Sequence, residues 1–233
     1  MKKTLSVILV VTLAMTSLTG CGIIKSRSER AKLTEKLLKE KYSEDFVVDK
    51  VGGADIFSDR SEFTAFCYPK SDKRVYFKAN VNGYNIVDWY DTARLQRKMG
   101  DILEQKLSWL QNDYTYKIDV LGSVGYDNSM SVKEYTTAYP NKMRGYIFIL
   151  VDDSTGKPGR QKMLNALNDM FSAFGDIDDF GLDLLYTDKD TYSTVKNIMD
   201  ESVEIDSTLV DYFKAGLGIV VKGGKITEEQ FKI

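Results

Sequence analysis

The chain has 233 residues with 32 Lys and Arg against 34 Asp and Glu, which gives a net charge of −2, and it contains no histidine. A weakly acidic chain argues against nucleic acid as a partner, because domains that bind nucleic acid carry basic patches. The absence of histidine excludes Ser-His and Cys-His triads, and two cysteines are too few for the usual zinc sites, so we predict no zinc and no cofactor.

The first twenty-one residues have the three-part layout of a secretory signal. Lys2 and Lys3 form a positive n-region, and residues 5–15 form an apolar run that is followed by small and polar residues. A membrane-spanning helix needs about 20 apolar residues, so this run is too short to span. The leader ends in Leu18-Thr19-Gly20-Cys21, which resembles the lipobox of bacterial lipoproteins.

This resemblance implies a lipid anchor on Cys21. Residues 1–20 would be the signal peptide, cleavage would fall between Gly20 and Cys21, and the thiol of Cys21 would carry a diacylglyceryl group. Two acyl chains hold a protein stably at a membrane, whereas one does not. The resemblance therefore places the chain at the extracytoplasmic face of the cell membrane, with residues 31–233 as its α+β region.

Residues 21–30 are expected to form the tether between the lipid and the folded region. Lys25, Arg27 and Arg30 are basic and would lie near anionic head groups. A plain polar spacer is the alternative interpretation. Without residues 1–20, which hold two lysines and no acid, the net charge becomes −4.

The first elements predicted after the tether are a helix and three strands. Apolar residues at helical spacing predict an amphipathic helix over residues 28–41, and alternation predicts a strand over residues 46–51. Residues 62–68 and 74–81 are rich in aromatic and β-branched residues and predict a hairpin. Cys67 lies in the first of these strands and is expected to be a buried, inert thiol.

The segment Lys41-Tyr42-Ser43-Glu44-Asp45-Phe46 follows a Lys- and Glu-rich helix and resembles segments of uncharacterised lipoproteins from Firmicutes. That resemblance implies no particular activity. The low cysteine content of an exported chain also favours a Gram-positive cell.

The remaining elements predict an α+β fold, with helices packed on a mainly antiparallel sheet. A long helix with Asp91 as its N-cap comes first, although Gly100 weakens it by about 1 kcal/mol relative to alanine. The predicted ranges are a helix over 91–111, strands over 114–121 and 146–151, a helix over 160–174 ended by Gly175, a strand over 182–186, a helix over 192–199, and a terminal hairpin over 218–226.

Shifting the chain by 70 positions reveals an internal similarity. It aligns Lys36-Leu37 with Lys106-Leu107 and residues 46–52 with residues 116–122. Two related helix–strand halves with a boundary within residues 82–91 are one explanation. The alternative is that two ordinary helix-to-strand connections coincide.

Two acidic segments are candidate sites. Asp176, Asp178 and Asp179 could ligate a hard cation, but the spacing of an EF-hand is absent, which favours a solvated loop. Asp152 and Asp153 follow a predicted strand, where carboxylates are catalytic in some α/β enzymes. Because Ser154 and a glycine follow them, a turn with side-chain-to-backbone hydrogen bonds is the preferred interpretation.

Tyrosines in the polar segment 125–140 are the candidate binding residues. Exposed aromatic side chains suit recognition of a partner, and Tyr126, Tyr135 and Tyr139 lie in this segment. The alternative is that these tyrosines are half-buried.

The sequence thus predicts a non-enzymatic, membrane-anchored lipoprotein that binds an unidentified protein or another component of the cell envelope. One alternative is a lipoprotein that captures a small ligand for a transporter. The other is a carboxylate-based hydrolase of the envelope.

Overall fold

The computed structural model describes residues 26–52, 62–121, 126–139, 143–177, 180–201, 212, 217–222 and 224–231. The elements in chain order are α1 (Arg27–Tyr42), β1 (Phe46–Gly52), β2 (Glu62–Pro69), β3 (Phe77–Asn82), β4 (Asn85–Asp88), α2 (Tyr90–Lys106), β5 (Tyr114–Leu121), α3 (Val132–Ala138), β6 (Arg144–Asp152), α4 (Arg160–Phe174), β7 (Phe180–Thr187), α5 (Lys189–Glu201), β8 (Leu217–Lys222) and β9 (Lys225–Phe231).

The strands form two sheets, and the predicted α+β class is confirmed. One sheet has four strands in the order β1-β2-β3-β4, and the other has five in the order β5-β6-β7-β8-β9. In the five-stranded sheet only β6 and β7 are parallel, and their neighbours pair antiparallel. Strand periodicity shows which face is buried, but it does not show which strands pair.

The chain divides into two compact units. One contains the described residues up to Phe66 together with Ala79–Val87, and the other contains Cys67–Lys78 and those from Asp88 onward. In the first unit α1 packs on β1, an edge strand. The Glu35 carboxylate of α1 accepts a hydrogen bond of 3.2 Å from the Val48 backbone N–H, which occupies a donor of that strand.

In the second unit, helices cover both faces of the five-stranded sheet. The larger core lies on the face that packs against α2, α3 and α4, and α5 covers the other face. The residues of the smaller core are Phe148, Leu150, Leu185, Tyr192, Val195 and Met199. Cys67 is fully buried, as expected.

Two predicted boundaries of α2 are wrong. The helix begins at Tyr90, and the Asp88 carboxylate accepts its first backbone N–H, so Asp91 is not the cap. It ends at Lys106, five residues earlier than expected. Gly100 has a packing role as well, since a Cβ there would lie 2.5 Å from the Tyr116 hydroxyl oxygen.

Candidate functional site

The predicted lipid-acceptor site, Gly20 and Cys21, lies outside the described residues. The first described residue, Ser26, caps α1: its hydroxyl accepts the Glu29 backbone N–H, and the Glu29 carboxylate accepts the Ser26 backbone N–H. Residues 27–30, which are predicted to be part of the tether, instead form the first turn of α1. Five residue steps separate Cys21 from Ser26, a reach of at most about 18 Å.

Arg30, which is predicted to be part of the tether, belongs to the first turn of α1. Its guanidinium carbon lies 5.3 Å from the centroid of the Phe63 ring, so the side chain stacks on β2 of its own unit. Arg27 is exposed at the start of α1.

Between residues 126 and 139 the tyrosine segment contains the short helix α3, and two of its three tyrosines lie in the larger core. Ser131 and Glu134 form a capping box that starts α3. Tyr126 is 2% exposed and Tyr135 is 0% exposed, with their rings edge to face at 5.3 Å. The prediction that both contact a partner is wrong, and only Tyr139, at 40% exposed, remains accessible.

Polar contacts explain how Tyr126 is accommodated in the core. Its hydroxyl donates to the Met130 carbonyl at 2.8 Å, and Lys98 donates to the carbonyls of Asn128 and Met130 at 2.6 and 2.9 Å. Burial raises the pKa of Tyr126 to about 12. The hydroxyl is thus a neutral structural donor, which agrees with a packing role.

Asp152 and Asp153 lie in the turn that the sequence favours. The Ser154 backbone N–H donates to Oδ1 of Asp152 at 2.9 Å, and the Gly156 N–H donates to the Asp153 carbonyl at 2.8 Å. Hydrogen bonds from Ser154 lower the pKa of Asp152, so this carboxyl is ionised at neutral pH. The Asn112 side-chain amide also stabilises the turn, because it donates to the Asp152 carbonyl at 2.8 Å. These contacts account for the segment structurally.

The predicted cation ligands are only partly described. Asp176 is exposed, and Asp178 and Asp179 lie outside the described residues. Within the described ranges, no three Asp, Glu or Cys side chains are grouped so as to hold a metal ion.

A polar pair on β6 and β7 was not predicted, and one of its members, Asp183, is buried. The Tyr146 hydroxyl donates to Oδ2 of Asp183 at 2.8 Å, and Asp183 is 3% exposed. Burial and then this hydrogen bond raise the pKa of Tyr146. Gly181 lies beside Tyr146 in register, and a Cβ there would lie 2.2 Å from the tyrosine ring. A glycine next to a tyrosine in neighbouring strands is the sequence signal for such a pair, but it appears only once the register is known.

The β3–β4 hairpin carries two large exposed apolar residues of the first unit, Tyr84 and Val87. Tyr84 is 69% exposed in the tight turn, and Val87 is 63% exposed on β4, which is an edge strand. Gly83 makes this turn possible because its φ is +59°, in the left-handed region that favours glycine. Large exposed apolar side chains at a sheet edge are typical of contact surfaces, and we refer to Tyr84 and Val87 as the hairpin surface.

Among the described helices, none combines the length and the apolar character that crossing a bilayer requires.

Comparisons with known proteins show similarity in fold. No protein-family model matches the chain, and no curated protein matches it. The crystal structure of a DUF5037 family protein from Ruminococcus gnavus is similar, with a TM-score of 0.64 and 18% sequence identity. The similarity covers 85% of this chain and 94% of that one. At this identity it supports the α+β fold alone.

Proposed function

We propose that the chain is a lipid-anchored extracytoplasmic protein that binds a protein or another component of the cell envelope and has no catalytic activity. The observation that carries the proposal is the position of the lipobox relative to the folded chain. The acceptor Cys21 precedes the α1 capping box by only five residues, as expected for a domain attached directly to its anchor.

The hairpin surface supports the binding role. Burying exposed apolar side chains such as Tyr84 and Val87 against a partner is favourable, because the hydrophobic effect scales with the apolar area removed from water. Tyrosine suits contact surfaces because it offers a large apolar area together with a hydroxyl group.

The hydrolase alternative has less support. Paired carboxylates act as acid and base only when their environments separate their pKa values. Asp152 and Asp153 instead form a turn. The Asp152 carboxylate accepts the Ser154 backbone N–H, and the Asp153 carbonyl accepts the Gly156 backbone N–H. Nothing in the described residues specifically favours capture of a small ligand over contact with a macromolecule.

The anchor is tested by expressing the full chain in a bacterium that processes lipoproteins. We expect the wild-type protein to enter the detergent phase on phase separation, and its N-terminal peptide to begin at Cys21 with the mass of a lipid-modified cysteine. Cys21→Ser should abolish both properties, because it removes the acceptor thiol. Cys67→Ala is the matched control, since this buried cysteine cannot be the acceptor. An unmodified wild-type N-terminus would overturn the proposal.

The binding role is tested in the same cells with a photo-reactive phenylalanine analogue at Tyr84. We expect a cross-linked species of defined mass, because Tyr84 lies on the hairpin surface. The same analogue at Tyr139, which is 40% exposed, is the matched control and should give no such species. Cross-linking at Tyr139 alone would refute the hairpin surface as the contact site and return attention to the tyrosine segment.

A further inference from the structure

Three lysines form one face of α1. Lys32, Lys36 and Lys39 are spaced by four and three residues, which places them in a row on a helix surface, and all three are exposed. We refer to them as the lysine stripe. The buried residues of α1 are Thr34, Leu37 and Leu38. The helix therefore packs with one side and presents the lysine stripe on another.

The charge of α1 contrasts with that of the chain. The helix has six Lys and Arg residues against three Glu, a net charge of +3, whereas the whole chain has a net charge of −2. Like charges at these spacings destabilise a helix in water. Lys36 lies 3.7 Å from Glu40 and Lys39 lies 2.8 Å from Asp45. Both pairs are well exposed, and exposed pairs compensate such repulsion weakly.

We propose that the lysine stripe docks on the anionic phospholipid head groups of the membrane that holds the anchor. This inference rests on the proposed lipidation of Cys21. The reach of at most about 18 Å between Cys21 and Ser26 keeps the start of α1 close to the head groups. Each lysine near an anionic membrane is attracted to it, and the attraction decays within a Debye length, which is about 8 Å at physiological salt.

A membrane surface fits the lysine stripe better than a protein partner does. The short connection fixes one end of α1 at the bilayer, so the anionic surface is present at high effective concentration. A lipid anchor and a basic face together also form the two-signal arrangement that stabilises attachment. Docking would lay α1 along the membrane, so that its far end lies as close to the head groups as its start.

The test uses the full lipidated chain in vesicles of phosphatidylcholine, alone or mixed with phosphatidylglycerol, each with a head-group quencher. A fluorophore attached to the cysteine of the Glu40→Cys variant reports how close the far end of α1 lies to the head groups. This position is about 20 Å from Arg27 along the helix. Cys21 carries the lipid and Cys67 is fully buried, so the label is directed to position 40. Flotation with the vesicles and the mass of the N-terminal peptide report the anchor independently.

We expect stronger quenching in the anionic vesicles and its loss at high salt. Lys32→Gln/Lys36→Gln/Lys39→Gln should shift the docking equilibrium about 100-fold toward the undocked state. The Arg triple variant at the same positions should keep the quenching, because it keeps the charge. The matched control is Lys70→Gln/Lys157→Gln/Lys225→Gln, which removes the same charge from other exposed positions and should behave like the parent.

The outcomes separate the two proposals. Docking by the lysine stripe would be overturned, with the anchor intact, if the protein floats with the vesicles but its quenching does not depend on lipid charge. An equal loss of quenching in the two Gln triple variants would have the same meaning. An unmodified N-terminus without flotation would overturn the anchor and this inference with it. Circular dichroism of the Gln triple verifies that α1 still folds, as expected because glutamine is a good helix former.

Discussion

Asp188 illustrates how a single side chain determines where a helix begins. It precedes Lys189, the first residue of α5, and its Oδ1 accepts the Thr191 backbone N–H at 2.9 Å. The Thr191 hydroxyl donates to Oδ2 at 3.3 Å. These bonds lower the pKa of Asp188, because they stabilise the ionised carboxylate. The residue thus satisfies a backbone donor that the helix itself leaves unpaired.

We predict that Asp188→Ala lowers the melting temperature by about 2–4 °C, because alanine cannot accept the Thr191 N–H. Asp188→Asn is the matched control and should melt close to wild type at neutral pH, since asparagine caps helices as well as aspartate does. As the pH falls through the folded-state pKa of Asp188, protonation removes the stabilising effect of its carboxylate. The melting temperature of Asp188→Asn should therefore decrease less steeply with falling pH than that of the wild type. Equal melting temperatures for the Ala and Asn variants would contradict a capping role.

Among the elements, those with long and regular patterns could be predicted well from the sequence. The residue ranges predicted for β5 and α4 match the structure, because alternation or helical spacing runs through the whole element. Gly175 has φ +93° and ends α4 by donating its N–H to the Phe171 carbonyl, as predicted.

Short elements were missed because they are too short to show a period. The four residues of β4 give no clear alternation, and the seven of α3 cover only two turns. The signal that could have identified α3 is local. Ser131 and Glu134 have the spacing of a capping box, which marks a helix start without any period.

Burial of polar side chains was the least predictable property of the candidate site. Tyr126 and Tyr135 lie in a polar segment, yet both belong to the larger core. The nearby Met130 carbonyl accepts the Tyr126 hydroxyl, but the Lys98 ammonium that holds the carbonyls around Tyr126 comes from α2. A partner such as Lys98 is more than twenty residues away in sequence, so spacing rules do not reveal it.

At the scale of the molecule, we expect three fully or partly buried tyrosines to make the stability sensitive to pH in the alkaline range. Burial raises the pKa of Tyr126, Tyr186 and Tyr192 to about 12 each. In an unfolded chain a tyrosine ionises near pH 10. Between about pH 10 and 12 the unfolded state therefore binds fewer protons than the folded state, and the free energy of unfolding falls as the pH rises.

We predict that the urea midpoint of the wild-type protein decreases steadily from about pH 10 to about pH 12. The phenolate absorbance of the folded protein should show that some tyrosines ionise at a higher pH than they do in the unfolded chain. Tyr186→Phe should decrease less steeply over this interval, because burial alone raises the pKa of Tyr186 and the variant has no proton to lose there. Tyr84→Phe is the matched control, since Tyr84 is 69% exposed, and its pH profile should parallel that of the wild type. Parallel profiles for all three proteins would show that Tyr186 does not link folding to proton release, and the slope would then have to come from other groups.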